Sequence, residues 1–166
     1  MTSLILYNDP MKNRYIFDGY NVLYQWDLLK PYASQSLESR RDHLIDLLID
    51  YQDIEGVQVI VIFDGRSGGK TKGPDKKIKG VDVYFSSGTN TADAVIEKMV
   101  ADHKDPSTIT VVTSDRQVAQ IVRGYGALCL RSQLMEVEFK NSLESLQNDL
   151  EWRELKQPRW RLEDRL

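Results

Sequence analysis

The apolar positions of this chain fall into short, β-branched runs that alternate with longer stretches of helical spacing. Residues 15–17 are apolar and end at Asp18, and residues 57–63 read Val-Gln-Val-Ile-Val-Ile-Phe and end at Asp64. Residues 81–85, 109–113 and 127–130 are three further strand candidates. Such unbroken runs suit strands buried on both faces of a parallel sheet. Between the first two, Leu37, Leu44, Ile45 and Leu48 recur at helical spacing within 36–54. Residues 91–101 place Val95, Ile96, Met99 and Val100 on one helical face. Residues 117–124 predict a short helix with Val118, Ile121 and Val122 inward and Gly124 as its stop. Residues 132–155 predict a longer helix whose apolar positions are Leu134, Val137, Leu143, Leu146 and Leu150. The alternation predicts an α/β three-layer sandwich, with a mostly parallel five-stranded sheet flanked by helices.

At 166 residues the chain fits one domain. Its body is expected over 13–155, after an N-terminal extension (1–12) and before a basic C-terminal tail (156–166). The single cysteine, Cys129, lies in an apolar run, which excludes an intrachain disulfide framework and fits a reducing compartment. Leu4, Ile5 and Leu6 are followed at once by Asn8, Asp9 and Pro10, a run too short for a signal core or a membrane span. The expectation is a cytoplasmic protein with no membrane partner. Two histidines far apart in sequence, His43 and His103, argue against a Cys/His zinc site.

A net charge of −3 disfavours coating nucleic acid by bulk electrostatics, yet it permits local patches that grip phosphate. Lys70, Lys72, Lys76, Lys77 and Lys79 crowd the stretch after Asp64, and Arg153, Lys156, Arg159, Arg161 and Arg165 crowd the tail. Trp152 and Trp160 stand among those arginines as in a stacking and phosphate-binding strip, while Trp152 also reads, preferably, as packing the last helix onto the body.

The chemistry lies in where the aspartates fall. Asp18 and Asp64 end strands, Asp115 follows the 109–113 strand, and Asp93 opens the helix after 81–85. Open parallel sheets bind ligands beyond the carboxyl ends of their strands, so all four point to one edge. Unpaired carboxylates about 5 Å apart repel by on the order of 3 kcal/mol per pair at an effective dielectric near 20. A divalent cation relieves that, and oxygen donors suit Mg²⁺ or Mn²⁺. Such a site fits phosphodiester hydrolysis, which needs no histidine or cysteine nucleophile.

Asp18-Gly19-Tyr20-Asn21, Phe63-Asp64, Thr91-Ala92-Asp93 and Thr113-Ser114-Asp115 together resemble the NYN domain, in its bacterial YacP-like branch, among the PIN-like nucleases. The resemblance covers roughly 15–150. It implies that Asp18, Asp64, Asp93 and Asp115 bind metal and carry catalysis. Asn21, Ser114 and Thr91 would support them or contact substrate, with Arg41, Lys70, Lys72, Lys76 and Lys77 as candidate phosphate contacts. It further implies cleavage of single-stranded RNA, with messenger RNA and the ribosome as candidate partners.

Each residue also has a plainer explanation. Asp93 suits a helix first turn, Asp115 and Ser114 suit a cap, and Asp64-Gly65 suits a turn. Asp18 escapes this, because the next helix is expected to start far beyond it. Arg40 and Arg41 suit a solvated helix face, and the lysine stretch a mobile insertion. Gly65-Arg66-Ser67-Gly68-Gly69 spells a serine-hydrolase elbow, but Gly73, Pro74 and a run of charges replace the helix that elbow requires. A non-catalytic RNA- or ribosome-binding module is the alternative. A phosphoacceptor domain fits badly, since Gly19 follows Asp18 and Arg131 follows Leu130.

Overall fold

The computed structural model describes residues 13–65, 74–88 and 90–156, of which 152–156 are described by backbone alone. Six strands form one sheet: β1 (Arg14–Asp18), β2 (Gln58–Asp64), β3 (Lys76–Ile78), β4 (Val81–Ser86), β5 (Ile109–Val112) and β6 (Leu128–Leu130). Their order is β3-β4-β2-β1-β5-β6, parallel throughout except for β3, which pairs antiparallel with β4. The five predicted strands are the parallel ones. The sixth escapes prediction because it is an edge strand spelled Lys-Lys-Ile, and charge is what protects a sheet edge from unwanted pairing.

Helices cover both faces. On one lie α1 (Gly19–Gln25), α2 (Leu37–Glu55) and α5 (Ser132–Lys156), on the other α3 (Ala92–Ala101) and α4 (Arg116–Gly124). Side chains alternate between the two cores along each strand. Phe17, Val59, Val61, Phe63 and Val83 face α1, α2 and α5, whereas Ile16, Ile60, Ile62 and Val111 face α3 and α4.

α1 corrects one expectation. A helix begins at Gly19, directly after Asp18, although its seven residues are too few to show an amphipathic period. Gly19 makes the tight start possible. A β-carbon there would stand 2.4 Å from Phe63 Cδ1 and 2.8 Å from the Ile62 carbonyl oxygen, so only glycine lets α1 lie against β2.

Two helices turn differently from their predicted faces. α5 buries Met135, Glu136 and Phe139, and exposes Leu134, Val137, Leu146 and Leu150. Phe139 takes the inward place because Trp26 stacks on it, with ring centroids 5.7 Å apart, while Trp26 Nε1 donates to the Ser132 carbonyl at 2.7 Å. Glu136 is drawn in as well, accepting from the Leu28 backbone N–H at 2.9 Å. On α4 Ile121 is exposed; the helix ends at Gly124 as expected, and Gly126, whose φ of +97° favours glycine, then leads the chain into β6. On α2 Leu37 is exposed. The side chain of Trp152, and Trp160, lie outside the described residues. No helix among the described residues is long and apolar enough to cross a membrane.

Candidate active site

Sheet register assembles the acidic edge. β1 sits centrally, flanked by β2 and β5, and the chain reverses its direction of travel across the sheet between β1 and β5. Ligands gather at such a switch point in open α/β sheets. Phe17 pairs with Val112, so Thr113 emerges beside Asp18. The Thr113 hydroxyl donates to Asp18 Oδ2 at 2.9 Å and also accepts from the Asp115 backbone N–H at 3.1 Å. One hydroxyl thus sets the places of two aspartates.

The remaining aspartates are held with equal definition. Asp64 Oδ1 accepts from Ser86 Oγ and from the Ala92 backbone N–H, both at 2.8 Å, which ties the end of β2 to the start of α3. Gly65 continues the ladder, its N–H donating to the Ser86 carbonyl. Asp115 Oδ1 caps α4 through the N–H groups of Gln117 and Val118. Thr91 caps α3 by accepting from Ala94 N–H. Among the described residues, the second carboxylate oxygen of Asp18, Asp64 and Asp115 takes no hydrogen bond from protein.

Asp18 precedes α1, yet its carboxylate makes no cap bond. Burial pushes its pKa up to about 6 from the ordinary 3.8; the Thr113 hydroxyl opposes the rise, and the negative charges of Asp93, Asp64 and Asp115 add to it. Asp93 is raised for the same reasons: burial first, then Asp115, Asp64 and Glu97. The four aspartates therefore sense one another at one edge. They do not form a preformed cage, for among the described residues no three Asp, Glu, His or Cys side chains converge tightly enough to hold an ion by themselves. Beside Asp64 a cleft of about 520 Å³ opens along Gly65, Ser86, Gly88, Asn90 and Thr91.

A family model described as the YacP-like NYN domain matches residues 15–166. The chain belongs to that family. NYN domains are a branch of the PIN-like nucleases, so the nuclease class agrees with the acidic edge. The "Uncharacterized protein YacP" of Bacillus subtilis (strain 168) is 38% identical over 128 residues, covering 74% of each chain. The crystal structure of Rae1 (YacP) from Bacillus subtilis superposes with a TM-score of 0.69 at 30% identity, over 90% of this chain and 86% of that one. A mutant of the same protein gives 0.71 at 28% identity, over 88% and 86%.

Within this NYN domain the supporting residues are tightly engaged. Asn21 Oδ1 accepts from Ser114 N–H at 2.9 Å and from Ser132 Oγ at 2.6 Å, and Ser114 Oγ donates to Gln133 Oε1. They join α1, the β5–α4 loop and α5. Arg41 is not on a solvated face: it is half-buried, donates to the Tyr20 hydroxyl at 2.9 Å, and lies over the rings of Phe63 and Phe85. Arg40 is half-buried too, over Tyr24. Lys76 and Lys77 belong to the edge strand β3, and Lys77 pairs with Asp82 at 3.1 Å. Lys70, Lys72 and the Gly65–Gly69 glycine-serine motif beyond Gly65 lie outside the described residues. Sequence reasoning missed Glu97, although its position one turn after Asp93 on a helix was a usable signal.

Proposed function

We propose that this NYN domain is a metal-dependent endoribonuclease that hydrolyses phosphodiester bonds of single-stranded RNA at Asp18, Asp64, Asp93 and Asp115. The observation that carries the reading is Asp18, half-buried and raised in pKa first by burial and then by the charges of Asp93, Asp64 and Asp115, with no cationic side chain of the described residues acting against them. For structure alone this is costly, since a capping or surface role needs no such crowding.

The donors fit Mg²⁺ or Mn²⁺. Both prefer hard oxygen ligands, and Mg²⁺ in particular keeps several waters and uses only one or two carboxylates plus substrate phosphate, so a closed protein cage is not required. Asp18, Asp64 and Asp115 each present an oxygen that no described residue engages. The ion, when bound, supplies Lewis-acid activation of water and of the phosphoryl group. The chain's own residues do the positioning. Thr113 orients Asp18, Ser86 and the start of α3 orient Asp64, and the α4 cap orients Asp115. Asn21 and Ser114 support the loop that carries Asp115.

Purified protein incubated with single-stranded RNA and Mn²⁺ or Mg²⁺ should produce internal cuts, and EDTA should abolish them. RNA binding without cleavage in either metal would overturn the reading in favour of a non-catalytic RNA-binding module.

A further inference from the structure

On the α4–β6 side of Asp115 the sheet edge opens into a second concavity, of about 420 Å³. Arg116, Arg123 and Arg131 line it together with Asp115, Ala119 and Cys129. The fold brings the arginines together by two routes. Arg116 and Arg123 are seven residues apart on α4, hence two turns apart on one face, and Ala119 between them leaves room. Arg131 arrives from another direction, as the first residue after β6, whose parallel pairing with β5 ends it at the same edge as Asp115.

None of the three guanidinium groups makes a hydrogen bond or ion pair with any described residue. Arg123 reaches in far enough to act on the half-buried Cys129 thiol, drawing its pKa down against the larger upward push of burial. The chain has 25 acidic residues against 22 basic ones, yet these three guanidinium groups line one cavity without a hydrogen-bond or ion-pair partner among the described residues. Arginine forks match phosphate oxygens two at a time. The cavity also shares Thr113, Ser114 and Asp115 with the acidic edge, so a strand lying over the aspartates continues directly into it.

We infer that Arg116, Arg123 and Arg131 form a phosphate subsite that holds the RNA backbone next to the bond being cut. The inference rests on the nuclease reading and names where its substrate runs. It also accounts for how an acidic protein holds a polyanion: the cations are local and lie beside the carboxylates.

The test uses the full chain with Arg123→Ala and Arg131→Ala combined, and the matching Lys pair as a second variant that keeps charge. Anisotropy of a labelled single-stranded oligonucleotide in EDTA, followed over a salt series, reads binding without cleavage. The salt slope of the Ala pair should fall by about 0.7 for each phosphate that is no longer neutralised. The Lys pair should keep most of that slope while losing affinity. In Mn²⁺ the Ala pair should show KM raised several-fold, with kcat reduced less. A parent-like slope and KM in the folded Ala pair would overturn the subsite. Failure of the nuclease reading looks different, because the parent then cuts nothing in either metal while the anisotropy series still reports on the arginines.

Discussion

The β1–α1 and β5–α4 corners are built alike and use their aspartates in opposite ways. In each, a strand ends, an aspartate stands immediately before a helix, and the helix runs away from the sheet edge. Asp115 commits one oxygen to two backbone N–H groups of α4, a stabilising arrangement that any helix start can use. Asp18 makes no such bond, accepts a hydroxyl from the neighbouring strand instead, and stays half-buried among like charges. The same residue type at the same local position is thus a cap in one corner and an electrostatic liability in the other. Local sequence does not separate the two; the partner strand does.

Asp18→Asn should break the comparison most completely. Asparagine keeps an acceptor for Thr113 but removes the charge, so metal-dependent RNA cleavage should fall by orders of magnitude. Stability should move the other way. The folded pKa of Asp18, about 6, exceeds its ordinary 3.8, so the native state holds the proton more tightly between those values. That contribution is fully present below 3.8 and is lost as pH rises through about 6. In EDTA, urea melts of parent and Asp18→Asn should therefore coincide near the lower limit and diverge by about 1–3 kcal/mol in favour of the variant above the upper one. Equal melts at both ends would show that Asp18 carries no such strain.

Gly19→Ala addresses what allows that corner to exist. Its β-carbon would meet both a ring and a backbone carbonyl, so neither side can yield cheaply. Thermal or urea unfolding should show a loss of about 1–3 kcal/mol, the usual cost of overpacking. A neutral result would mean that α1 can shift away from β2.

Asp115 allows a finer cut. Asp115→Asn should preserve stability, because asparagine caps as well as aspartate, while Asp115→Ala should lose about 0.5–2 kcal/mol. If Asp115 also serves the acidic centre, both variants should lose RNA cleavage; parent-rate cleavage by the Asn variant would make Asp115 a cap alone. Thr91→Ala is the smallest expected effect. It should cost about 1 kcal/mol of stability in a melt through loss of the α3 cap; a fall in RNA cleavage larger than that loss explains would add a role for Thr91 in the cleft beside Asp64.

What is readable in the sequence follows from these differences. The parallel strands are legible because burial on both faces writes continuous β-branched runs such as residues 59–63. The placement of Asp18, Asp64, Asp93 and Asp115 at one edge follows from strand direction alone. α1 is not legible: seven residues beginning with glycine carry too little periodicity, and its start is fixed by Phe63, far away in the chain. The inward face of α5 is hidden because leucines outnumber aromatics there, whereas the position of Trp26 selects Phe139. The arginine cavity needs the register of β5 and β6 to bring Arg131 to α4, although the seven-residue spacing of Arg116 and Arg123 is plain in the sequence.

Asn21 gives the site a place in time as well as in space. Its carboxamide oxygen bonds to residues 93 and 111 positions further along the chain. Chains are made from the N-terminus, and contacts of long sequence separation close late. Asp18, Asp64, Asp93 and Asp115 all emerge before Ser132, the residue that completes the Asn21 knot and opens α5. A growing chain therefore carries every candidate catalytic carboxylate before it carries the last tie that holds two of their corners in register. On the nuclease reading, the site is complete only once α5 has docked and Ser132 has closed on Asn21, and not strand by strand as the sheet accumulates.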